Sequence, residues 1–391
     1  MTFSFPASAI FFCLAKFLGT ARAVASKRVR ILVRGGSSQV GARLVLAVGL
    51  IGATKGQAQS GSAPVGVMTY AVAENSTISL GVPLLRPAVF VGSVTAFGGK
   101  SLTVAGAGAD APWALVAGAA YFVEVIGHVD GATSGLVGQR FEVDEVATLA
   151  SGVGAVVLDS TSALNTASVT TLVDLANYRV VMRPHWTLAA LLGTGAGGKI
   201  NASVSVTAAD QVLAWSGAGF SVFYLRSGEV PQWRNIATGA TNQDGAILPP
   251  GVGLFLRRQQ GALALAVPGE VRMNTFVRPP FTGSQLVAGG FPVDASLADW
   301  KLTSGAGFTA GTSPVNADQV LAWADNAFSV FYLRDGQTPQ WRNTATGLVD
   351  YTNAPLFSKL GANLLFLRAV SPGAAAGVAP VALVQAVPFK L

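Results

Sequence analysis

Short apolar runs alternate with polar breaks along most of the chain from Val65 onward. Gly, Asn, Asp, Ser and Pro interrupt these runs about every eight to twelve residues, which is typical of an all-β sandwich or barrel. The candidate strands of the first half are Gly66–Val72, Val89–Thr95, Ser101–Ala105, Ala120–Ile126, Gln139–Val146, Ala155–Asp159 and Tyr178–Arg183. The pair Gly98-Gly99 predicts a tight hairpin turn between two of them.

Helical periodicity is rare in this sequence. The segments Trp186–Leu192 and Ser296–Leu302 each predict a short helical turn that leads into a glycine-rich loop. Asp294 or Ser296 is suited to cap the second turn.

A 31-residue segment occurs twice. Ala209–Gly239 and Ala317–Gly347 are identical at 23 of 31 positions, at an offset of 108 residues. The similarity continues into the LFLR of Leu254–Arg257 and of Leu365–Arg368, after a three-residue insertion. Two copies do not make a solenoid, so we expect similar units packed about a pseudo-two-fold axis. The predicted fold is mainly β, with sandwich or barrel-like units and two tandem copies in the C-terminal two-thirds of the mature chain.

Each copy contains a strand that is apolar on both faces. These strands are Phe220–Arg226 and Phe328–Arg334, and both are predicted to lie centrally in a sheet. A two-residue turn after the first strand would set Pro231 opposite Tyr224 at a hydrogen-bonded position, where proline cannot donate. We therefore expect a four-residue loop, Ser227–Val230. That loop places Trp233 opposite Tyr224.

The first residues predict an export signal. Arg43 precedes the apolar run Leu44–Ala53, which is too short for a bilayer but suits a signal-peptide core. Small residues precede a cleavage site after Ala58, so we expect residues 1–58 to be a leader and Gln59 to begin the mature chain. The protein is therefore expected in the periplasm, on the cell surface or outside the cell.

Residues 1–40 fit this pattern less well. Either translation begins further downstream, near Val29, Val33 or Val40, or the basic part of the signal is unusually long.

We divide the remaining sequence into an N-terminal β unit at 64–184, the first copy at 185–291 and the second copy at 292–391.

The charge of the chain resides in its leader. The formal net charge is +7, but the leader holds eight Lys and Arg residues and no Asp or Glu. The other residues hold 18 basic and 19 acidic side chains, a balance that excludes a nucleic-acid partner. With 51% apolar and 12% charged residues, the chain is not of the disordered class. The only cysteine, Cys13, also lies in the leader, so we expect a mature chain without disulfides.

The sequence offers little catalytic chemistry. His128 and His185 are the only histidines, and no serine lies in a nucleophile-elbow motif, so we assign no catalytic residue, metal or cofactor. The acidic cluster around Glu142 and Asp144 is interpreted as a solvated strand edge. Asp210 and Asp318, equivalent in the two copies, are interpreted as turn caps at strand starts.

Tryptophans are the remaining candidates for recognition. Trp215 and Trp323 end apolar strands and are predicted to be core residues. Two others lie between Pro-Gln and Arg-Asn and are predicted near the surface, where rings stack on sugars. The candidate ligand-binding residues are therefore Trp233, Arg234, Trp341 and Arg342.

Several ordered motifs resemble one family. They are YFVEVIGHVDGATSGLVGQRFEV and LANYRVVMRPHWTL within Tyr121–Leu188, GVPLLRPAVFVGSV at Gly81–Val94, and then DQVLAW, FYLR, QWR and GVGLFLRR. Together they resemble an uncharacterised family of exported bacterial proteins known chiefly from verrucomicrobial genomes, over roughly residues 64–391. The resemblance implies export and a β-rich body, and it supplies no activity. The long leader departs from the usual N-terminus of that family.

These observations favour an exported, non-enzymatic β-rich protein of the envelope or cell surface with a structural or adhesive role. One alternative is a carbohydrate-binding module that uses the Trp and Arg loops of both copies. Another is an outer-membrane β-barrel, although FSVFYLR lacks the alternation of a barrel strand. The expected partners are a polysaccharide or another surface component, or a second copy of the chain, and no transmembrane helix is expected in the mature chain.

Overall fold

The computed structural model describes residues 64–106, 115, 118–131, 135–150, 153–172, 175–194, 199–217, 219–281, 283–324, 327–356, 364–367 and 383–388. The leader, its cleavage site and Cys13 lie outside these residues, as does Trp113. The described chain is mainly β, as the sequence predicts.

Two strands, β1 (Val65–Val72) and β2 (Thr77–Gly81), precede a closed six-stranded barrel. The barrel strands are β3 (Phe90–Gly98), β4 (Ser101–Gly106), β5 (Tyr121–His128), β6 (Arg140–Ala150), β7 (Val153–Leu158) and β8 (Tyr178–Pro184). Their order is β3-β4-β7-β6-β5-β8, and all pairs are antiparallel. Strands β5 to β7 form a meander and β8 returns beside β5, which makes a Greek key. A 3₁₀-helix, Val169–Thr171, lies between β7 and β8.

Alternation of apolar and polar residues fills the barrel interior. Every second residue of β7 is buried, and two of these, Val156 and Leu158, belong to the same apolar cluster as Phe141 and Met182. The turn predicted at Gly98-Gly99 is present, because Gly98 pairs with Ser101 and Gly99 adopts a φ of +63°.

The first β unit follows the barrel. Its further elements are β9 (Trp186–Thr187), α1 (Leu188–Leu192), β10 (Gln211–Trp215), β11 (Phe220–Arg226), β12 (Gln232–Asn235), β13 (Ile247–Leu248), β14 (Gly253–Arg257) and β15 (Leu263–Glu270). A five-stranded sheet has the order β12-β11-β10-β14-β2, while β1 pairs with β15 and β9 with β13. The predicted helical turn is α1, and Thr187 caps it by accepting a hydrogen bond from the Ala190 amide at 3.2 Å.

The second β unit repeats the five-stranded sheet. Its strands are β16 (Phe276–Val277), β17 (Gln285–Val287), β18 (Gln319–Ala324), β19 (Ala327–Arg334), β20 (Gln340–Asn343), β21 (Leu364–Leu367) and β22 (Val384–Gln385). The sheet order is β17-β21-β18-β19-β20, and β16 pairs with β22. Two 3₁₀-helices occupy Ser304–Ala306 and Pro314–Asn316. The segment predicted as a second helical turn forms a hydrogen-bonded turn instead, in which Ser296 Oγ accepts from the Asp299 amide.

The strand pairs of the two units have the same register. Gln211 stands opposite Tyr224, and 108 residues later Gln319 stands opposite Tyr332. On their other side, Gln211 faces Arg257 of β14 and Gln319 faces Leu367 of β21. These two partner strands are therefore separated by two residues more than the 108 that separate the rest of the copies. The insertion between the copies is thus two residues, and not the three that the LFLR alignment indicates.

The first two strands belong to the first unit and not to the barrel. β1 pairs with β15 over Val65–Val72, and β2 pairs with β14 from Thr77 to Gly81. The barrel is therefore inserted after β2. In the first sheet the edge strand beside β14 is β2, which precedes the barrel, and in the second sheet the equivalent edge strand beside β21 is β17. This differs from the sequence division, which groups 64–184 as one unit.

The hairpin after β11 has a longer loop than we predicted. Trp233 stands opposite Leu225 and not opposite Tyr224, and Gln232 faces Arg226. The loop therefore has five residues, with Pro231 outside the ladder. A shift of one residue moves a side chain to the other face of a sheet. The observed register directs Trp233 into the core of its unit, together with Leu225.

The two sheets pack through matching faces. Phe255 and Trp323 lie with ring centroids 5.1 Å apart in a cluster between the units. Leu213, Trp215 and Phe220 of the first unit and Leu321, Trp323 and Phe328 of the second contribute to this cluster at equivalent repeat positions. Trp215 Nε1 also donates to the Ser284 carbonyl at 2.7 Å. Strand β11 is therefore packed on both faces, as its sequence predicts.

Candidate functional site

Charged side chains lie buried where the barrel meets the first unit. The segment 270–278, here called the strap, begins at the last residue of β15 and includes β16, and it runs across the outer faces of β5, β6 and β8. Alternation along β5 puts Val123 inside the barrel and directs Phe122 and Glu124 outward, yet Glu124 is only 1% exposed. We call this contact between barrel and strap the junction.

Two ion pairs cross the junction. Arg183 of β8 pairs with Glu270, and Glu124 of β5 pairs with Arg272 of the strap. The Asn274 side-chain amide also donates to Glu124 Oε1 at 2.7 Å. Glu124 and Arg272 are almost fully buried, so solvent does not screen their attraction.

A third pair lies on the barrel side. His185 Nε2 and Glu142 Oε2 are 2.7 Å apart, and the His185 ring centroid lies 4.8 Å from that of Phe122. The main chain positions His185 because its amide donates to the Ala120 carbonyl and its carbonyl accepts from Arg86 Nη1. Glu142 is 8% exposed, so the solvated edge that we predicted for it is wrong.

Arg140 connects three parts of the chain. Its guanidinium donates to the carbonyls of Val277 at 3.0 Å and Pro250 at 3.4 Å. Burial lowers the pKa of Arg140 to about 10, an effect that the nearby charge of Glu142 opposes. Arg140 therefore remains a cation at neutral pH.

Phe276 is the apolar centre of the junction. The guanidinium carbons of Arg140 and Arg272 lie 5.5 and 5.3 Å from its ring centroid. Glycines allow its ring to approach the backbone, because an added Cβ would come within 2.3 Å of the ring at Gly251 and 2.2 Å at Gly290. Gly251 also has a φ of +83°. One aromatic ring thus joins the barrel, the strap and the second unit.

The junction carries more positive than negative groups. In the described part of the chain, three glutamates face five arginines, which include Arg86 and the half-buried Arg278. Desolvation lowers the pKa of Arg272 to about 9, and desolvation together with the charge of Arg140 lowers that of Arg278 to about 9. Among the described residues, Glu124 Oε2, Arg140 Nε and Arg183 Nε have no hydrogen-bond partner.

The arrangement of His185 does not suit acid–base catalysis. His185 is 2% exposed, and its Nδ1 has no partner among the described residues. A general base must reach its substrate proton within a hydrogen-bond distance, and here the carboxylate Glu142 occupies Nε2 while Phe122 covers the ring. His128 lies elsewhere, with its Nδ1 accepting from the Asp130 amide at 3.3 Å.

The predicted ligand-binding tryptophans are interior residues. Trp233 is 0% and Trp341 1% exposed, so the surface position that we predicted for both is wrong. Each indole donates to a carbonyl of its own unit, at Gly193 and Leu302 respectively. A ring with both faces covered has none left for a sugar.

Arg234 and Arg342 each follow one of these tryptophans and lie on the opposite face of the same strand. Arg234 donates to the Ala240 carbonyl and to Gln232 Oε1, and Arg342 donates to Gln340 Oε1 at 3.1 Å. Strands β12 and β20 end their respective sheets. The four predicted residues therefore lie as two separate pairs, and each pair is divided between the two faces of one strand.

Asp210 and Asp318 organise strand starts, as we interpreted them. Asp210 is fully buried, pairs with Arg258 and accepts from the amides of Asn201 and Gln259, each at 2.8 Å. Asp318 accepts from the Thr309 amide at 2.7 Å. Both carboxylates close the loop that leads into the first strand of the repeat.

The sequence analysis missed Glu124, Arg272 and Phe276. One available signal was Phe122 on the outer face of β5, because an aromatic residue beside a glutamate on an outward face indicates that something covers that face. No comparable signal marks the strap, whose partners lie far away in sequence.

Comparisons with protein-family models, curated proteins and solved structures find no significant match to this chain. None of the helices in the described part of the chain has the length and apolar character that a membrane crossing requires.

Proposed function

We propose that the protein is an exported, non-enzymatic β-rich component of the cell envelope or cell surface, with a structural or adhesive role. The observation that carries this proposal is the position of the buried charged side chains, which contact other parts of the same chain and not a cavity open to a substrate. Glu142, His185 and the cross-junction pairs are the residues with the strongest potential for chemistry, and each is sealed between parts of the same chain.

The contacts between the parts support a structural role. The barrel is fixed to the first unit through the strap, and the two units are joined through the apolar cluster around Phe255. A body joined in this way holds its barrel and its two units in a fixed arrangement, which suits a structural or adhesive role.

The sequence of the leader supports export. Its charge, its short apolar run and the small residues before Ala58 fit a cleaved signal. The resemblance to a family of exported bacterial proteins, noted from the ordered motifs, agrees with this proposal.

Cell fractionation with N-terminal sequencing tests export directly. The expected result is a chain that begins at Gln59 and is recovered with the periplasm, the envelope or the medium. An uncleaved chain in the cytoplasm would overturn the proposal.

A binding experiment tests the structural role. The purified mature chain is expected to co-sediment with isolated envelopes of the native cells and to turn over no compound in a broad hydrolase and transferase panel. Turnover that disappears in His185→Gln would assign the His185–Glu142 pair to catalysis and overturn the non-enzymatic proposal. We do not propose sugar binding at Trp233 and Trp341, because their rings are buried.

A further inference from the structure

The barrel and the first unit each have a separate apolar core. The barrel cluster contains Val104, Phe141 and Met182, and the cluster of the first unit contains Leu80 and Trp233. The buried ion pairs that link the barrel to the strap lie between these two cores, in the junction, whereas Asp210 and Arg258 form a buried pair within the first unit.

We propose that the junction is an acid-labile latch. Protonation of its glutamates releases the barrel from the strap, while the barrel and the two packed units remain folded. The proposed switch is a change of conformation. The position of the ion pairs between barrel and strap is the observation that supports it.

Every element packed at the junction contributes a charged or titratable group. The segment before the barrel contributes Arg86, whose Nη1 donates to the His185 carbonyl at 3.1 Å. The complete set is Arg86, Glu124, Arg140, Glu142, Arg183, His185, Glu270, Arg272 and Arg278. Among the described residues the glutamates are the anions of this set, and they balance the arginines.

The sign of the pH effect follows from this imbalance. A glutamate that pairs with a buried arginine favours docking while it is charged, and it loses that effect once it binds a proton. Docking is therefore favoured while the junction glutamates are charged and is lost once acid protonates them. Buried arginines without counter-charges must then recover water, which requires the junction to open.

The contact between the two units provides an internal control. Its cluster is formed by apolar and aromatic residues such as Phe255, Leu286 and Trp323. Arg278 donates to the carbonyls of Gly251 and Leu286 at its edge and stays a cation from neutral to acid pH. Acid should therefore leave this contact closed under conditions that open the junction.

Spin-label distances can follow both contacts in the full mature chain. The only cysteine lies at position 13, in the leader, so introduced cysteines are the only labelling sites of a chain that begins at Gln59. Val91 of the barrel, Val67 of the first unit and Ser329 of the second unit are exposed strand residues. The pair Val91→Cys with Val67→Cys reports the junction, and Val67→Cys with Ser329→Cys reports the contact between units.

Acidification from about pH 7 to about pH 3 is expected to broaden and lengthen the 91–67 distance distribution. The 67–329 distribution should remain narrow, the far-UV circular dichroism should persist, and neutralisation should restore the first distance. Simultaneous broadening of both distributions would indicate general unfolding and overturn the latch. An unchanged 91–67 distance at acid pH would also overturn it.

A neutral isostere provides the same test without acid. Glu124→Gln removes one junction charge, so the long 91–67 component is expected to become the major one already at neutral pH. Glu145→Gln is the matched control, because Glu145 is exposed on β6, and it should leave the distance unchanged. If Glu124→Gln does not fold, the pH series of the unaltered chain decides the question alone. A folded Glu124→Gln that keeps the short distance would contradict the proposal.

Discussion

Gly290 lies so close to Phe276 that a Cβ at position 290 would come within 2.2 Å of the Phe276 ring. The ring cannot retreat, because Gly251 leaves equally little room on another side and the two guanidiniums lie near it. The glycine at 290 is thus required by packing, since its φ is not in the left-handed region.

We therefore expect Gly290→Ala to destabilise the protein by about 1–3 kcal/mol, the usual range for overpacking a filled core. Urea unfolding followed by fluorescence measures the change. Gly283→Ala is the matched control, because no atom lies within 4 Å of the Cβ it would add. Equal midpoints for the two variants would show that the Phe276 ring is free to move.

Trp341 should contribute to stability and not to recognition. Its ring is buried against Phe308, with centroids 6.3 Å apart, and its Nε1 donates to the Leu302 carbonyl at 2.7 Å. Trp341→Phe removes ring volume and leaves a buried carbonyl without its donor, so we expect a loss of about 1–3 kcal/mol. Leu348→Ala, at a residue that is 85% exposed, should change the free energy of unfolding by less than about 0.5 kcal/mol. A Trp341→Phe variant of unchanged stability would contradict the burial.

Tyr70 makes the first unit sensitive to alkali. Its hydroxyl donates to the Gly81 carbonyl and so ties β1 to β2, and burial raises the pKa of the phenol well above its usual value of about 10. A raised pKa means that the neutral phenol stabilises the fold below about pH 10, and that this contribution is lost as the pH rises further.

Urea midpoints at pH 9 and pH 11 should therefore differ more for the unaltered chain than for Tyr70→Phe. The comparison isolates the phenol, since every other titrating group is common to both proteins. Tyr351→Phe, at a half-buried tyrosine of the second unit, should retain the full alkaline loss. Identical pH dependence in the Tyr70→Phe variant and the unaltered chain would exclude Tyr70 as its source.

Strand positions could be predicted from this sequence because burial follows a local pattern. In β1 the buried residues Met68, Tyr70 and Val72 alternate with exposed ones, and a period of two is visible without any tertiary information. The turn at Gly98-Gly99 is equally local, because only glycine adopts its left-handed conformation at no steric cost.

The register at Trp233 could not be obtained in the same way. Both faces of β11 are apolar, so the sequence does not say which face Trp233 joins. A four-residue loop would set Pro231 opposite Arg226, whereas the observed five-residue loop leaves Pro231 outside the ladder. Only packing against Leu225 and the unit core selects between them. The junction is less predictable still, since Glu124 and Arg272 are brought together by the insertion of the barrel after β2.

Asp210 and Arg258 provide the sharpest test of how buried charges stabilise this chain. The carboxylate is fully buried and accepts two main-chain hydrogen bonds besides its ion pair, while Arg258 also donates to the carbonyls of Lys199 and Gly261, each at 2.8 Å. Removing one partner leaves the other charge buried without compensation, so Asp210→Ala should cost about 3–5 kcal/mol.

The double variant Asp210→Ala with Arg258→Met should recover part of that loss, because it leaves no unpaired charge. Lys100 and Asp144 form a matched exposed pair at 3.5 Å, with side chains 51% and 57% exposed, and Asp144→Ala should cost less than about 1 kcal/mol. Urea unfolding of the unaltered chain, Asp210→Ala, Arg258→Met and the double variant closes the double-mutant cycle. If the losses in the double variant simply add, the two charges do not interact, and the stability of the strand start depends on the main-chain hydrogen bonds to Asp210 alone.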